Sequence, residues 1–219
     1  MNPVERWLAS RNGMELRLQV LGALLLFEYS GYAFINHLTA WRAESLGHSY
    51  LEPWSAIDNS IPFIPVSILL YVPLLPMVAV PAFALSEEKI RTGFWTYIGV
   101  IVSSFTIFLL VPMKMSRAGL ETGAFEPLFL LLWTIDPPFN TFPSLHVSLA
   151  TIATLVVWQH DRRLGRWMLI GATVLTLSTF LAKQHFVIDA IGGMALAIVW
   201  YRYHYLPRAA HIDAAAGAL

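Results

Sequence analysis

"WMLIGATVLTLSTFLAKQHFVIDAIGGMALAIVWY", residues 167–201, is an apolar stretch of 35 residues with one strongly polar cluster inside it, Lys183, Gln184 and His185. One helix of that length would reach roughly 50 Å at 1.5 Å per residue, far beyond a hydrocarbon core of about 30 Å. The chain must turn, and the polar cluster is where it turns. Residues 167–182 form a first arm of 16 residues, roughly 24 Å long, which recesses the turn near the depth of lipid headgroups.

The rest of the chain agrees that a bilayer is the solvent, since 57% of its 219 residues are hydrophobic and only 13% are charged. Apolar runs predict spans at about 16–36, 62–85, 94–112, 144–159, 167–182 and 186–205. The expected fold is all-α integral membrane, a six-transmembrane-helix bundle forming a single membrane domain over 1–219. The run "FEPLFLLLWTID", 125–136, is too short to cross and is expected to be an interfacial or re-entrant segment before the fourth helix. Pro62, Pro65, Pro73, Pro76 and Pro81 predict that the second span is kinked or broken. The first run carries Glu28 and lacks a small-residue cleavage site, so it reads as a retained helix. A net charge of zero gives no electrostatic reason to expect nucleic acid. The absence of cysteine excludes disulfides, thiol catalysis and cysteine-ligated metal.

With both termini cytoplasmic, that side holds Arg6, Arg11, Arg17, Lys89, Arg91, Arg162, Arg163, Arg166, Arg202 and Arg208, as the positive-inside rule asks. The other face keeps Arg42, Lys114, Arg117 and Lys183. Three of these cations fall in segments that converge there: "VPMKMSRAG" after the third span, "FPSLH" opening the fourth, and "KQHFVID" at the turn. The set is Lys114, Arg117, Ser144, His146, Lys183, His185 and Asp189. Cations beside a helix N-terminus suit a phosphate, because ammonium, guanidinium and free backbone N–H groups all stabilise its oxygens.

His185 and Asp189 are four residues apart and share a face if the sixth helix starts by His185. Asp189 would accept from the imidazole N–H, fix the tautomer and leave the other ring nitrogen to attack phosphorus. His146 would give a proton to the leaving oxygen and later take one from water or an alcohol. Asp189 stands out, since a carboxylate within a membrane run is functional by default. Glu28 falls under the same rule but has no evident partner. Gly192 and Gly193 most simply permit close helix packing.

The three segments resemble the membrane-bound type 2 phosphatidic acid phosphatase superfamily, whose usual pattern is KxxxxxxRP, PSGH and SRxxxxxHxxxD on a six-helix membrane core. This chain offers "KMSR", "PSLH" and "STFLAKQHFVID". It departs from the pattern at Leu145, where glycine is usual, and at Thr179, where arginine is usual. Lys114 precedes Arg117 by three residues instead of seven. These departures are similar to the inositol phosphorylceramide synthase branch. The resemblance implies a catalytic core over about 62–205, with His185 as nucleophile, Asp189 as its orienting partner and His146 as acid and base. It also implies that Ser144, Lys114, Arg117 and Lys183 bind phosphate, and that neither metal nor cofactor is needed. The implied substrate is a membrane lipid phosphate, diphosphate or phospholipid headgroup, met on the extracytoplasmic face of the cell membrane.

Hydrolysis and transfer to an alcohol both remain open at the level of sequence, with a slight lean to hydrolysis. Two rival classes are an intramembrane metallohydrolase with His146, His185 and Asp189 on zinc, and a small transporter whose buried charges line a pathway.

Overall fold

The computed structural model describes residues 2–217, apart from the side chains of residues 72–75. Among these residues the chain is helical with no strand. After the short α1, Pro3–Ala9, comes α2, Gly13–Leu46. This helix continues well past the expected end at 36 and stops at Gly47, whose left-handed φ of 65° serves the C-cap. A short α3, Ala56–Ser60, lies in the loop that follows.

The proline-rich second run is broken, as expected. It passes from a 3₁₀ turn, Pro65–Ser67, through α4, Ile68–Leu74, and a second 3₁₀ turn, Leu75–Ala79, to α5, Val80–Ala84. Next come α6, Glu87–Leu110, α7, Glu126–Ile135, and α8, Leu145–His160. The last helices are α9, Arg162–Leu181, α10, Val187–Trp200, and α11, Leu206–Gly217, with a π-helical turn, Tyr201–Tyr205, joining the last two. Among the described residues four segments are long and apolar enough to cross a membrane: Gly13–Leu46, Pro65–Ala84, Glu87–Leu110 and Arg162–Leu181.

The opening stretch does turn at Lys183, Gln184 and His185, between α9 and α10. Two details differ from expectation. First, α9 starts at Arg162, because Asp161 caps it by accepting from Arg163 N (2.8 Å) and Leu164 N (2.9 Å). Its 20 residues span about 30 Å, so the turn is not recessed by a short arm. Second, α10 starts at Val187, two residues beyond His185. His185 therefore does not share a helical face with Asp189.

At the centre stands α8, apolar on every side, with Val147, Leu149, Ala150, Ile152, Ala153, Val156 and Val157 all buried. A helix of that pattern needs neighbours all round, and α5, α6, α9 and α10 pack against it. The approach of α10 is close enough to require glycine. A Cβ on Gly193 would lie 2.6 Å from Ser144 O, and one on Gly192 would lie 2.4 Å from the Phe142 ring. The paired glycines thus set the spacing between α8, which carries His146, and α10, which follows His185.

Candidate active site

His146 lies in the first turn of α8 and His185 in the turn before α10, and the contact between these helices brings their rings together. His146 Nδ1 is 3.4 Å from His185 Nε2. On the opposite edge of the same imidazole, His185 Nδ1 is 3.4 Å from Asp189 Oδ2. Both distances are long for hydrogen bonds. Asp189 reaches His185 by folding back over the helix start, where the same oxygen accepts from Phe186 N at 2.9 Å. Its other oxygen, Oδ1, is buried without a partner. Asp189 and His146 meet different nitrogens of one ring. The three side chains lie in line and do not converge on one point as metal ligands do, and among the described residues no group of three His, Cys, Asp or Glu is placed to hold a metal ion.

The two helix entrances are joined, Ser144 N donating to Asp189 O at 2.9 Å. At α10 the first amides are taken by carboxylates, Phe186 N by Asp189 and Val187 N by Asp58 Oδ1 at 2.8 Å. At α8, Ser144 Oγ accepts from Val147 N at 3.3 Å, while Leu145 N and His146 N make no hydrogen bond among the described residues. The α8 entrance therefore presents two free donors beside His146.

The four expected phosphate ligands divide. Arg117 bridges two loops, donating to Asp136 O (2.7 Å) and Gln184 Oε1 (2.8 Å), and its Nε remains buried without a partner. Burial pulls its guanidinium below the ordinary value, with Asp136, Tyr32 and Tyr71 opposing. Ser144 is fully buried as the N-cap, and its hydroxyl proton has no described acceptor. Lys114 sits over the Tyr50 and Phe139 rings, 4.8 and 5.3 Å from their centroids.

Lys183 differs most from expectation. It is buried, and its ammonium donates to Asp58 O (2.9 Å) and Ile61 O (2.6 Å), so its contacts run to the α3 loop and not to the histidine pair. Burial lowers its proton affinity and Asp58 opposes that. Thr179, at the usual place of arginine, donates to its own helix at Thr176 O. Its carbonyl holds the turn by accepting from Gln184 N (2.9 Å) and His185 N (3.4 Å).

A family model described as the PAP2 superfamily matches residues 67–203, well over half of the 219-residue chain. The chain belongs to this superfamily. No curated protein and no solved structure matches it. Membership supports an enzyme of phosphatase or phosphotransferase type, and the four long apolar helices make it a membrane protein.

Beside the histidine pair this PAP2 superfamily member has a largely apolar chamber of about 420 Å³, within the roughly 300–1,000 Å³ usual for ligand sites. Leu132, Ile135, Leu145 and Leu149 form part of its wall, and His146 and Asp136 are among its polar groups. The superfamily's usual glycine is thus replaced by a chamber wall, Leu145.

Sequence reasoning missed several residues here. Tyr71 OH lies 3.0 Å from His146 Nε2, and a tyrosine in a proline-rich apolar run carries no signal for that. Tyr32 OH donates to Asp136 Oδ1 at 2.5 Å. Asp136 did carry a signal, a carboxylate directly after an apolar run, by the argument that singled out Asp189. Asp58 was missed too, although it grips the turn from α3. Burial pushes its carboxyl up, but hydrogen bonds from Ser55 Oγ, Val187 N and Ser55 N, with Lys183 nearby, outweigh that and hold it below the ordinary carboxylate range.

Proposed function

We propose that this protein removes phosphate from a membrane lipid phosphate through a phosphohistidine on His185. The observation that carries this reading is the line Asp189–His185–His146, with 3.4 Å at each step. Asp189 holds the proton on Nδ1 of His185, which leaves Nε2 as the nucleophile. Nε2 attacks phosphorus as the bond to the lipid oxygen breaks, and His146 protonates the departing alkoxide. Water then attacks the phosphohistidine, gives its proton to His146 and releases inorganic phosphate. Asp189 stabilises the imidazolium formed in between.

Leu145 N, His146 N and the Ser144 hydroxyl supply donors to the phosphate, and Arg117 supplies positive charge. Binding between the rings must part them, since 3.4 Å leaves no space for a phosphoryl group. Tyr71 gives His146 a hydrogen-bonding anchor from which to move. Lys183 acts on the site indirectly, by tying its turn to α3. The lipid chain lies in the chamber beside His146, with the site at the extracytoplasmic face of a six-span bundle that counts α8 and α10 as crossings.

The experiment is incubation of the purified protein with phosphatidic acid and with polyprenyl phosphates and diphosphates, with free phosphate as readout. The wild type releases phosphate, and His185→Ala loses release by several orders of magnitude on every lipid. Wild-type release from a His185→Ala protein would overturn the mechanism. Transfer is the second reading, favoured by Leu145 and the synthase-like motifs, and its mark is a new phosphodiester lipid when ceramide or diacylglycerol is added to phosphatidylinositol.

A further inference from the structure

Glu28 is a half-buried carboxyl within a membrane-length helix, α2, that the proposed reaction does not use. It lines the chamber that His146 also lines, about one helical turn of α2 from Tyr32 and so about 6 Å along the axis. Tyr32 marks the catalytic end of the chamber through its bond to Asp136. Among the described residues Glu28 makes no hydrogen bond or ion pair, whereas the chamber's other acid, Asp136, is held by Tyr32. Leaving a carboxyl unpaired against apolar walls is unfavourable, and proteins keep such groups in membrane helices where something functional meets them.

We propose that Glu28 is a specificity residue for lipid phosphates whose chain carries a hydroxyl or amide N–H within its first few carbons below the phosphate. The assignment rests on the lipid-phosphate reading above. With phosphate at the histidine pair, the chain descends past Tyr32 and Tyr71, and its first carbons come level with Glu28. A carboxyl accepts a hydrogen bond in either protonation state, so a donor there completes the pairing that the protein leaves open. A plain alkyl chain in the same place displaces water from Glu28 and returns nothing, which penalises that chain. Sites built to pair a substrate hydroxyl reject the analogue lacking it far more strongly than apolar pockets sort chains by length.

The test compares a saturated long-chain alkyl phosphate with the same compound bearing a hydroxyl on its second carbon, reading phosphate release as kcat/KM on one protein preparation. The wild type prefers the hydroxylated compound by about tenfold or more. Glu28→Leu brings the ratio toward one, losing rate on the hydroxylated lipid and gaining on the plain one, and Glu28→Gln keeps most of the preference. Because the readout is a ratio, a smaller folded fraction in either variant does not alter it. Equal wild-type rates on both compounds, or a preference that survives Glu28→Leu, overturn the assignment and leave the lipid-phosphate reading standing. Release from neither compound, with none from the wider lipid panel, removes that reading and this inference with it.

Discussion

The N-termini of α8 and α10 touch through Ser144 N and Asp189 O, each begins beside a histidine, and each offers the amides that make a helix start attractive to anions. Their treatment differs. At α10 two carboxylates, Asp189 and Asp58, take the amides and fill the place an anion would occupy. At α8 a neutral serine takes one amide, and two others have no partner among the described residues. On the mechanism proposed above, the difference separates two tasks: the closed entrance orients His185, and the open entrance leaves donors for the phosphate that His185 would attack.

The comparison breaks most visibly at Asp189. Asp189→Asn keeps an acceptor for Phe186 N, yet its amide no longer holds the proton on His185 Nδ1 or balances an imidazolium. By analogy with other histidine–carboxylate pairs, kcat for phosphate release falls on the order of 10³–10⁴-fold. Thermal unfolding in detergent shifts only slightly, which separates lost chemistry from lost structure.

The reverse experiment closes the open entrance. Ser144→Asp puts at α8 the chemistry found at α10, a carboxylate that accepts from the first-turn amides. Capping survives the exchange, since aspartate and serine cap about equally well. Phosphate then meets a like charge, and two unit charges at about 4 Å repel by about 4 kcal/mol at an effective dielectric constant of about 20. Activity on lipid phosphates falls a hundredfold or more, with a helical circular-dichroism signal close to wild type. Equal activity in Ser144→Asp would mean that the α8 entrance does not receive the phosphate.

Much of this contrast could be read in the sequence, and the part that could not has a physical cause. The turn at Lys183–His185 follows from length, because 35 apolar residues cannot form one crossing. The pairing of His146 with His185 follows from motif spacing and a shared membrane face. The direction of Lys183 does not follow, since it is set by carbonyls of Asp58 and Ile61, more than a hundred residues earlier in the chain. A spacing of four residues suggests a shared helical face for His185 and Asp189, whereas Asp189 meets His185 by capping α10 from inside the helix, which the spacing does not reveal. Glu28, Tyr32 and Asp58 precede the stretch that matches the superfamily, residues 67–203, so its motifs carry no information about them. Glu28 could be singled out as partnerless, but only the cavity that residues of α2, α7 and α8 line together turns that into a place in a chamber.

The smallest expected effect sits at the edge of the closed entrance. Asp58 joins α3 to Val187 N, Ser55 N and Ser55 Oγ, and Lys183 crosses the same junction to reach the loop carbonyls. Asp58→Asn keeps one acceptor but turns an NH₂ toward donors, and should cost about 1–2 kcal/mol of stability, as for a lost cap. His185 loses orientation without losing Asp189, so kcat falls by about tenfold or less while KM for the lipid phosphate hardly moves. The pH dependence separates the charge of Asp58 from its shape. Its carboxyl is held below the ordinary range, so its contribution is fully present above the unfolded value of about 3.9 and is lost as pH falls through the lower folded value. The gap in thermal midpoint between wild type and Asp58→Asn should stay constant from pH 7 to about pH 5 and narrow below about pH 4. A gap that is flat down to the acid limit would assign the clamp to the shape of the Asp58 side chain and not to its charge.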